Sequence, residues 1–143
     1  DWANANRQET FEVSAMNVAG VIGEIVSEPK VFTMSEDKPE RMVLFTVRVP
    51  GIKEDWETQA YDECIPIRIP LKIMGSHFNS LKQGSFAYVT GALMKGRYLT
   101  HTGGWEITVG ISASDVNPIR KAEFDRNKEE AKKSFGRGER EDE

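Results

Sequence analysis

Residues 65–73 read I-P-I-R-I-P-L-K-I. Ile65, Ile67, Ile69, Leu71 and Ile73 take the odd positions, and Pro66, Arg68, Pro70 and Lys72 the even ones. Alternation this strict predicts a β-strand with one buried face. A proline, however, has no N–H to give a ladder and does not suit a central strand. Backbone N–H groups alternate between the two neighbouring strands, so Pro66 and Pro70 remove donors along one edge only. The strand is therefore expected beside an opening or bulge, fully paired on its other side, with aliphatics inward and two cations outward. Two missing ladder bonds cost about 0.5–1.5 kcal/mol each. Each buried aliphatic returns about 1.5–3 kcal/mol, which outweighs them.

The flanking segments extend the β pattern. Residues 11–26, F-E-V-S-A-M-N-V-A-G-V-I-G-E-I-V, predict a long first strand bent or bulged at Gly20 and Gly23 and ended by Glu28-Pro29. Residues 42–49, M-V-L-F-T-V-R-V, predict a second strand closed by Pro50-Gly51. After the proline-bearing third strand, Gly75 leads into S-H-F-N-S-L-K-Q-G, a short helical turn with Ser76 as N-cap and Gly84 as the residue after its end. Residues 86–95 make a fourth strand, and Thr102-Gly103-Gly104 a hairpin turn. Trp105, Ile107, Val109 and Ile111 alternate along a fifth strand as expected core residues. Five strands, the first bent, with a helix between the third and fourth, fit an all-β OB-fold barrel over residues 11–118, ahead of a small sandwich. In such barrels nucleic acid lies across the face of strands two and three. Residues 1–10 form an N-terminal extension. Residues 119–143 form a charged tail, helical with Phe124, Ala131 and Phe135 on one face, or disordered and solvated, the latter favoured.

Composition narrows the function classes. The 143 residues hold 38% hydrophobic and 29% charged side chains, enough for one core and a surplus of polar surface. No apolar run approaches the roughly 20 residues that span a bilayer, so no membrane association is expected. The segment D-W-A-N-A-N-R-Q-E-T has neither the basic start nor the apolar stretch of a signal peptide. Cys64 is the one cysteine, which excludes an internal disulfide and a cysteine-based zinc cluster, and weakly favours a reducing, cytoplasmic setting. The net charge of −4 argues mildly against a phosphate-rich partner. Its source is local, though. Glu54, Asp55, Glu57, Asp62 and Glu63 face only Lys53 in the loop from Gly51 to Cys64, and the rest of the chain is balanced.

Catalysis has little to stand on. His77 and His101 lie in no metal-binding spacing, Cys64 has no nucleophile signature, and the acidic loop lacks the periodic carboxylates of a calcium site. No enzyme activity, cofactor or metal is expected. Binding to unpaired nucleic acid needs cations along the backbone and rings on which bases stack. Arg48 ends strand two, Arg68 and Lys72 face outward on strand three, and Lys95, Arg97 and Tyr98 lead into the hairpin. Lys30 and Phe32 follow strand one, and Trp56 and Tyr61 ride on the acidic loop. Phe32 and Phe45 fit a core position better than a platform, and Trp105 is expected to pack inside. Trp56, Tyr61 and Tyr98 suit either role, and Arg68 and Lys72 could equally be solvated charges.

Several stretches resemble the bacterial-type single-stranded DNA-binding proteins, including divergent members carried by phages or plasmids. N-V-A-G-V-I-G-E-I-V-S-E-P-K-V is similar to the family's first strand, and M-V-L-F-T-V with I-P-L-K-I-M-G to its second and third. The G-S-F-A-Y-V-T-G-A-L block and M-K-G-R-Y-L-T-H-T-G-G-W-E-I-T-V resemble its fourth strand and basic–aromatic hairpin. The resemblance spans residues 16–116. It implies non-catalytic binding and protection of single-stranded DNA with little sequence preference, in replication, recombination or repair, at a nucleoid or viral replication site. Tyr98 becomes the hairpin's stacking ring, and Arg48, Arg68, Lys72 and Arg97 become phosphate contacts. It further implies a homo-tetramer or dimer, and recruitment of replication or recombination proteins by an acidic C-terminal tail. The chain departs from the family in having Arg68 and Met74 where stacking aromatics are usual, and in lacking a Gly/Pro/Gln-rich linker. An OB-fold protein-assembly module and an RNA-binding OB-fold remain the alternatives.

Overall fold

The computed structural model describes residues 16–33, 35–37, 39–52 and 60–141, with side chains as far as Lys133. The expected N-terminal extension, the start of the first strand and Trp56 lie outside the described residues. The elements in order are β1 (Ala19–Ile25), β2 (Lys30–Thr33), β3 (Arg41–Val49), β4 (Glu63–Pro70), α1 (Leu71–Met74), a 3₁₀ turn (Gly75–Ser80), β5 (Phe86–Leu99), β6 (Trp105–Ile119) and α2 (Lys121–Glu141). Strand order β1-β5-β6-β4-β3 closes into a ring because β1 also pairs with β3, at Glu24↔Arg48 and Ile25↔Val47.

Six strands appear where five are expected because a short further strand, β2, follows the expected stop of the first at Glu28-Pro29. β1 and β2 run antiparallel to the same strand, β3, one pairing with its end and the other with its start. The break between them spans residues 26–29, in line with the expected stop at Glu28-Pro29. It is tied down by Val26 N–H donating to Thr46 O (2.9 Å) and by Thr46 N–H donating to Ser27 Oγ (2.8 Å). Gly23 serves the crossing: a Cβ there would stand 2.3 Å from Arg48 O, so only a bare backbone lets β1 pass from β5 to β3.

The prolines sit as their spacing predicts. β4 pairs with β3 at eight successive positions, including Thr46↔Pro66 and Met42↔Pro70. Its parallel contact with β6 is confined to Ile67↔Ile111 and Arg68↔Ser112. Ile67 and Ile69 reach the core with Val43, Phe45, Val47, Val89 and Ile111. The expected strand ends early, however. Pro70, with φ −58°, precedes a helical turn at Leu71–Met74, a position that suits proline's fixed φ. Helical spacing then sends Leu71 and Met74 toward the core, and Ile73, expected inside, is half exposed. Ser76 caps nothing: the 3₁₀ turn has no side-chain cap bond. The tail is helical, and Phe124 packs its ring 4.5 Å from that of Phe86.

β5 and β6 are far longer than the barrel needs, 14 and 15 residues, joined through the Thr100–Gly104 turn. β6 meets β4 only from Ile111 onward, so the preceding part of the hairpin projects past the wall. This corrects the expected core. Ile111 is buried, but Val109, Ile107 and Trp105 are 53%, 75% and 39% exposed.

Candidate nucleic-acid interface

Strand register decides which predicted residues share a surface. Val43, Phe45 and Ile67 point inward, so Lys30, Phe32, Leu44 and Arg68, linked by Lys30↔Leu44, Phe32↔Met42 and Leu44↔Arg68, lie on the outward side of β2–β4. The projecting hairpin folds back over this side.

Tyr98 is the contact, and the expectation that it stacks on a ligand is corrected. Its side chain is fully buried, and its hydroxyl donates to Met94 O at 2.9 Å. The Arg68 guanidinium lies 5.2 Å from the ring centre. Gly110 makes the room: a Cβ there would meet Pro66 O at 2.5 Å and Tyr98 Cζ at 2.8 Å. Tyr98 thus pins the hairpin to β4 and offers no open ring face. Burial raises the Tyr98 phenol above its ordinary value, with Arg68 pulling partly against that. Folding then holds the proton more tightly than the unfolded chain does. This contribution to stability is complete below about pH 10 and fades as pH rises through the raised value. Urea midpoints measured from pH 8 to 11 should fall more steeply for the natural chain than for Tyr98→Phe; parallel curves would refute the assignment.

The accessible ring is that of Trp105, which is partly exposed. Phe32 meets it edge-on, with centroids 5.3 Å apart at 77°, and the Arg97 guanidinium carbon lies 5.3 Å from the indole centre. Phe32, half-buried, is therefore a brace at the surface rather than a core residue. Lys30 precedes Phe32 by two on β2, and Lys95 precedes Arg97 by two on β5, so each cation shares a side with its aromatic partner. Among the described residues, Lys30, Lys95 and Arg97 have no carboxylate within ion-pair distance.

Two expected phosphate contacts are placed elsewhere. Arg48 stands at the opposite end of β3, 2.6 Å from Glu24 and 4.0 Å from Asp62. Lys72 is on α1 rather than on a strand, 3.4 Å from Glu40. Both charges are offset by neighbouring acids. Tyr61 is 66% exposed, at the Arg48 end and away from the cluster. The structure therefore packs Phe32 and Arg97 against Trp105, places Lys30 and Lys95 on the same strand sides as these two, sets Arg68 and Tyr98 beneath the hairpin, and leaves Arg48, Tyr61 and Lys72 outside. Trp105 is the residue that sequence reasoning missed; its place directly after the Gly103-Gly104 turn was the signal that it sits at a rim. Among the described residues no group of three or more His, Cys, Asp or Glu side chains converges.

No family model and no curated protein sequence matches the chain. Solved structures do. The chain is similar to a Plasmodium falciparum SSB in complex with single-stranded DNA, at 16% identity and a TM-score of 0.57 over 73% of this chain and 96% of that one. It is similar to a small single-stranded DNA-binding protein from Streptomyces coelicolor, at 17% identity and 0.52 over 73% and 95%. The dimeric N-terminal domain of PriB from Thermoanaerobacter tencongensis matches at 14% and 0.50 over 73% and 98%. The fold is an OB-fold, shared with these structures.

Proposed function

We propose that this protein binds and protects single-stranded DNA, without catalysis and with little preference for sequence along most of its track. One observation carries this: Trp105 presents a partly exposed indole, braced by Phe32 and Arg97, on a surface whose cations Lys30, Lys95 and Arg97 have no carboxylate at ion-pair distance among the described residues. A base stacked on an aromatic ring gains about 1–3 kcal/mol whatever its identity, and the cations hold the phosphates that follow it. The similar SSB and PriB structures support the same reading.

Replication, recombination or repair in the cytoplasm, at a nucleoid or viral replication site, is the setting such coating serves. The acidic end of the chain, G-E-R-E-D-E, would recruit replication or recombination proteins or compete for the cationic surface. The exposed Leu93, Ile107 and Val109 fit burial against further copies, as a dimer or tetramer.

The test is a fluorescence titration with thymidine oligomers at several salt concentrations. Binding should tighten as salt falls, with log K changing by about −0.7 per unit log salt for each phosphate neutralised. Lys30, Arg68, Lys95 and Arg97 together allow a slope of up to about −3. Lack of binding at low salt would defeat the proposal.

A further inference from the structure

A small cleft of about 260 Å³ adjoins the stacking cluster. The β1–β2 break supplies Glu28, the start of β2 supplies Lys30, the turn before β5 supplies Gln83, and the hairpin turn supplies His101, while Leu44 and Leu99 are among its apolar walls. Leu99 pairs with Trp105 across the hairpin, and Lys30 lies two residues from Phe32 on the same side of β2. A strand with one base on Trp105 therefore has the cleft within reach of a neighbouring base. At this size, below the roughly 300–1,000 Å³ of drug-sized ligand sites, it suits a single nucleobase.

Ser27 and Thr100 of its lining are hydrogen-bonded within the protein, but its longer polar side chains are nearly idle. Glu28 Oε2 accepts one long bond, from Gln83 N–H at 3.4 Å. Among the described residues the side chains of Lys30, Gln83 and His101 make no hydrogen bond or ion pair. A carboxylate accepts two parallel donors, and an ammonium supplies donors alone. Guanine is the base whose edge matches both, with adjacent N1–H and N2–H donors for Glu28 and the O6 acceptor for Lys30. Adenine, cytosine and thymine each bring a single donor group beside acceptors, which a carboxylate opposes.

We propose that this cleft takes one guanine, its edge on Glu28 and Lys30, so that the protein favours a strand with guanine beside the base stacked on Trp105. The inference rests on the single-stranded DNA reading above, and adds to it a preference that stacking alone does not give.

A thymidine nonamer and the same nonamer with one central guanine separate the two. The guanine nonamer should bind about 10-fold tighter, within the range that a two-bond base contact discriminates. Inosine, which lacks the N2 amine, should lose much of that gain. Glu28→Gln, exposed and isosteric, should abolish the gain while leaving the thymidine nonamer within about twofold; thermal melting confirms that the variant is folded. Trp105→Ala should instead weaken both nonamers alike. Equal affinity for the two nonamers, an equal gain from a central adenine, or a gain that survives Glu28→Gln overturns the guanine site while the general binding stands. Failure of both nonamers to bind overturns the guanine site together with the function it rests on.

Discussion

Trp105→Ala should lower affinity for a thymidine oligomer by about 5- to 150-fold, the equivalent of one base–aromatic stack of about 1–3 kcal/mol. The indole is 39% exposed and held from two sides, so its orientation is fixed before a base arrives. Little ordering entropy is then lost on binding. The loss should appear at high salt as well as low, since stacking is not screened, whereas Arg97→Ala should chiefly flatten the salt slope by about 0.7. Tyr98→Phe is the contrast. It keeps the buried ring and removes only the bond to Met94 O, a change worth about 0.5–1.5 kcal/mol of stability with affinity within about twofold. Fluorescence anisotropy at two salt concentrations reads all three variants. If Tyr98→Phe weakened binding and Trp105→Ala did not, the platform would have been placed on the wrong ring.

That exchange of roles marks where the sequence is legible. Period-two alternation at residues 65–73 and 42–49 identifies inward-facing Ile67, Ile69, Val43, Phe45 and Val47, because inside a closed ring every alternate side chain meets an opposite wall. The edge that Pro66 and Pro70 leave without donors is legible for the same local reason. Alternation cannot report where the wall stops. Trp105, Ile107 and Val109 continue the pattern of Ile111, yet they lie beyond the last ladder pairing with β4 and stay partly or largely exposed. Tyr98 occupies the opposite face of that hairpin, where an aromatic beside cations looks available to a ligand. It is buried because Gly110, on the neighbouring strand, leaves room for its ring against β4.

The cations follow a similar rule. Sequence locates Arg48, Lys72, Arg97 and Lys95 equally well, but a phosphate contact depends on which carboxylates lie across a strand pair. Glu24 reaches Arg48 only because β1 crosses onto β3, and Glu40 reaches Lys72 only because the chain turns helical after Pro70. Neither neighbour is visible in local spacing. The 71–74 turn itself is hidden by a strand pattern that continues through Leu71 and Ile73; helical spacing from Leu71 to Met74 competes with it, and packing settles the choice.

Gly110→Ala should be strongly destabilising where the hairpin rests on β4. The new Cβ would lie 2.5 Å from Pro66 O and 2.8–2.9 Å from two atoms of the Tyr98 ring. Neither neighbour retreats easily. Pro66 is fixed by the continuous β3–β4 ladder, and the Tyr98 ring is held by its hydroxyl bond and capped by Arg68. Overpacking of this kind costs about 1–3 kcal/mol when neighbours can adjust, and backbone on one side places this case at the upper end. At about 4 °C per kcal/mol for a domain of this size, the melting temperature should fall by roughly 10 °C. Gly104→Ala is the control, since its Cβ would meet only Thr100 Oγ1, at 3.8 Å, and should leave the melting temperature almost unchanged. Because Tyr98 anchors the hairpin that carries Trp105 and Arg97, Gly110→Ala should also weaken oligomer binding at temperatures where the barrel is still folded. A melting temperature within 2 °C of the natural chain would mean that the hairpin does not rest on β4 as closely as the Tyr98–Arg68 contact requires.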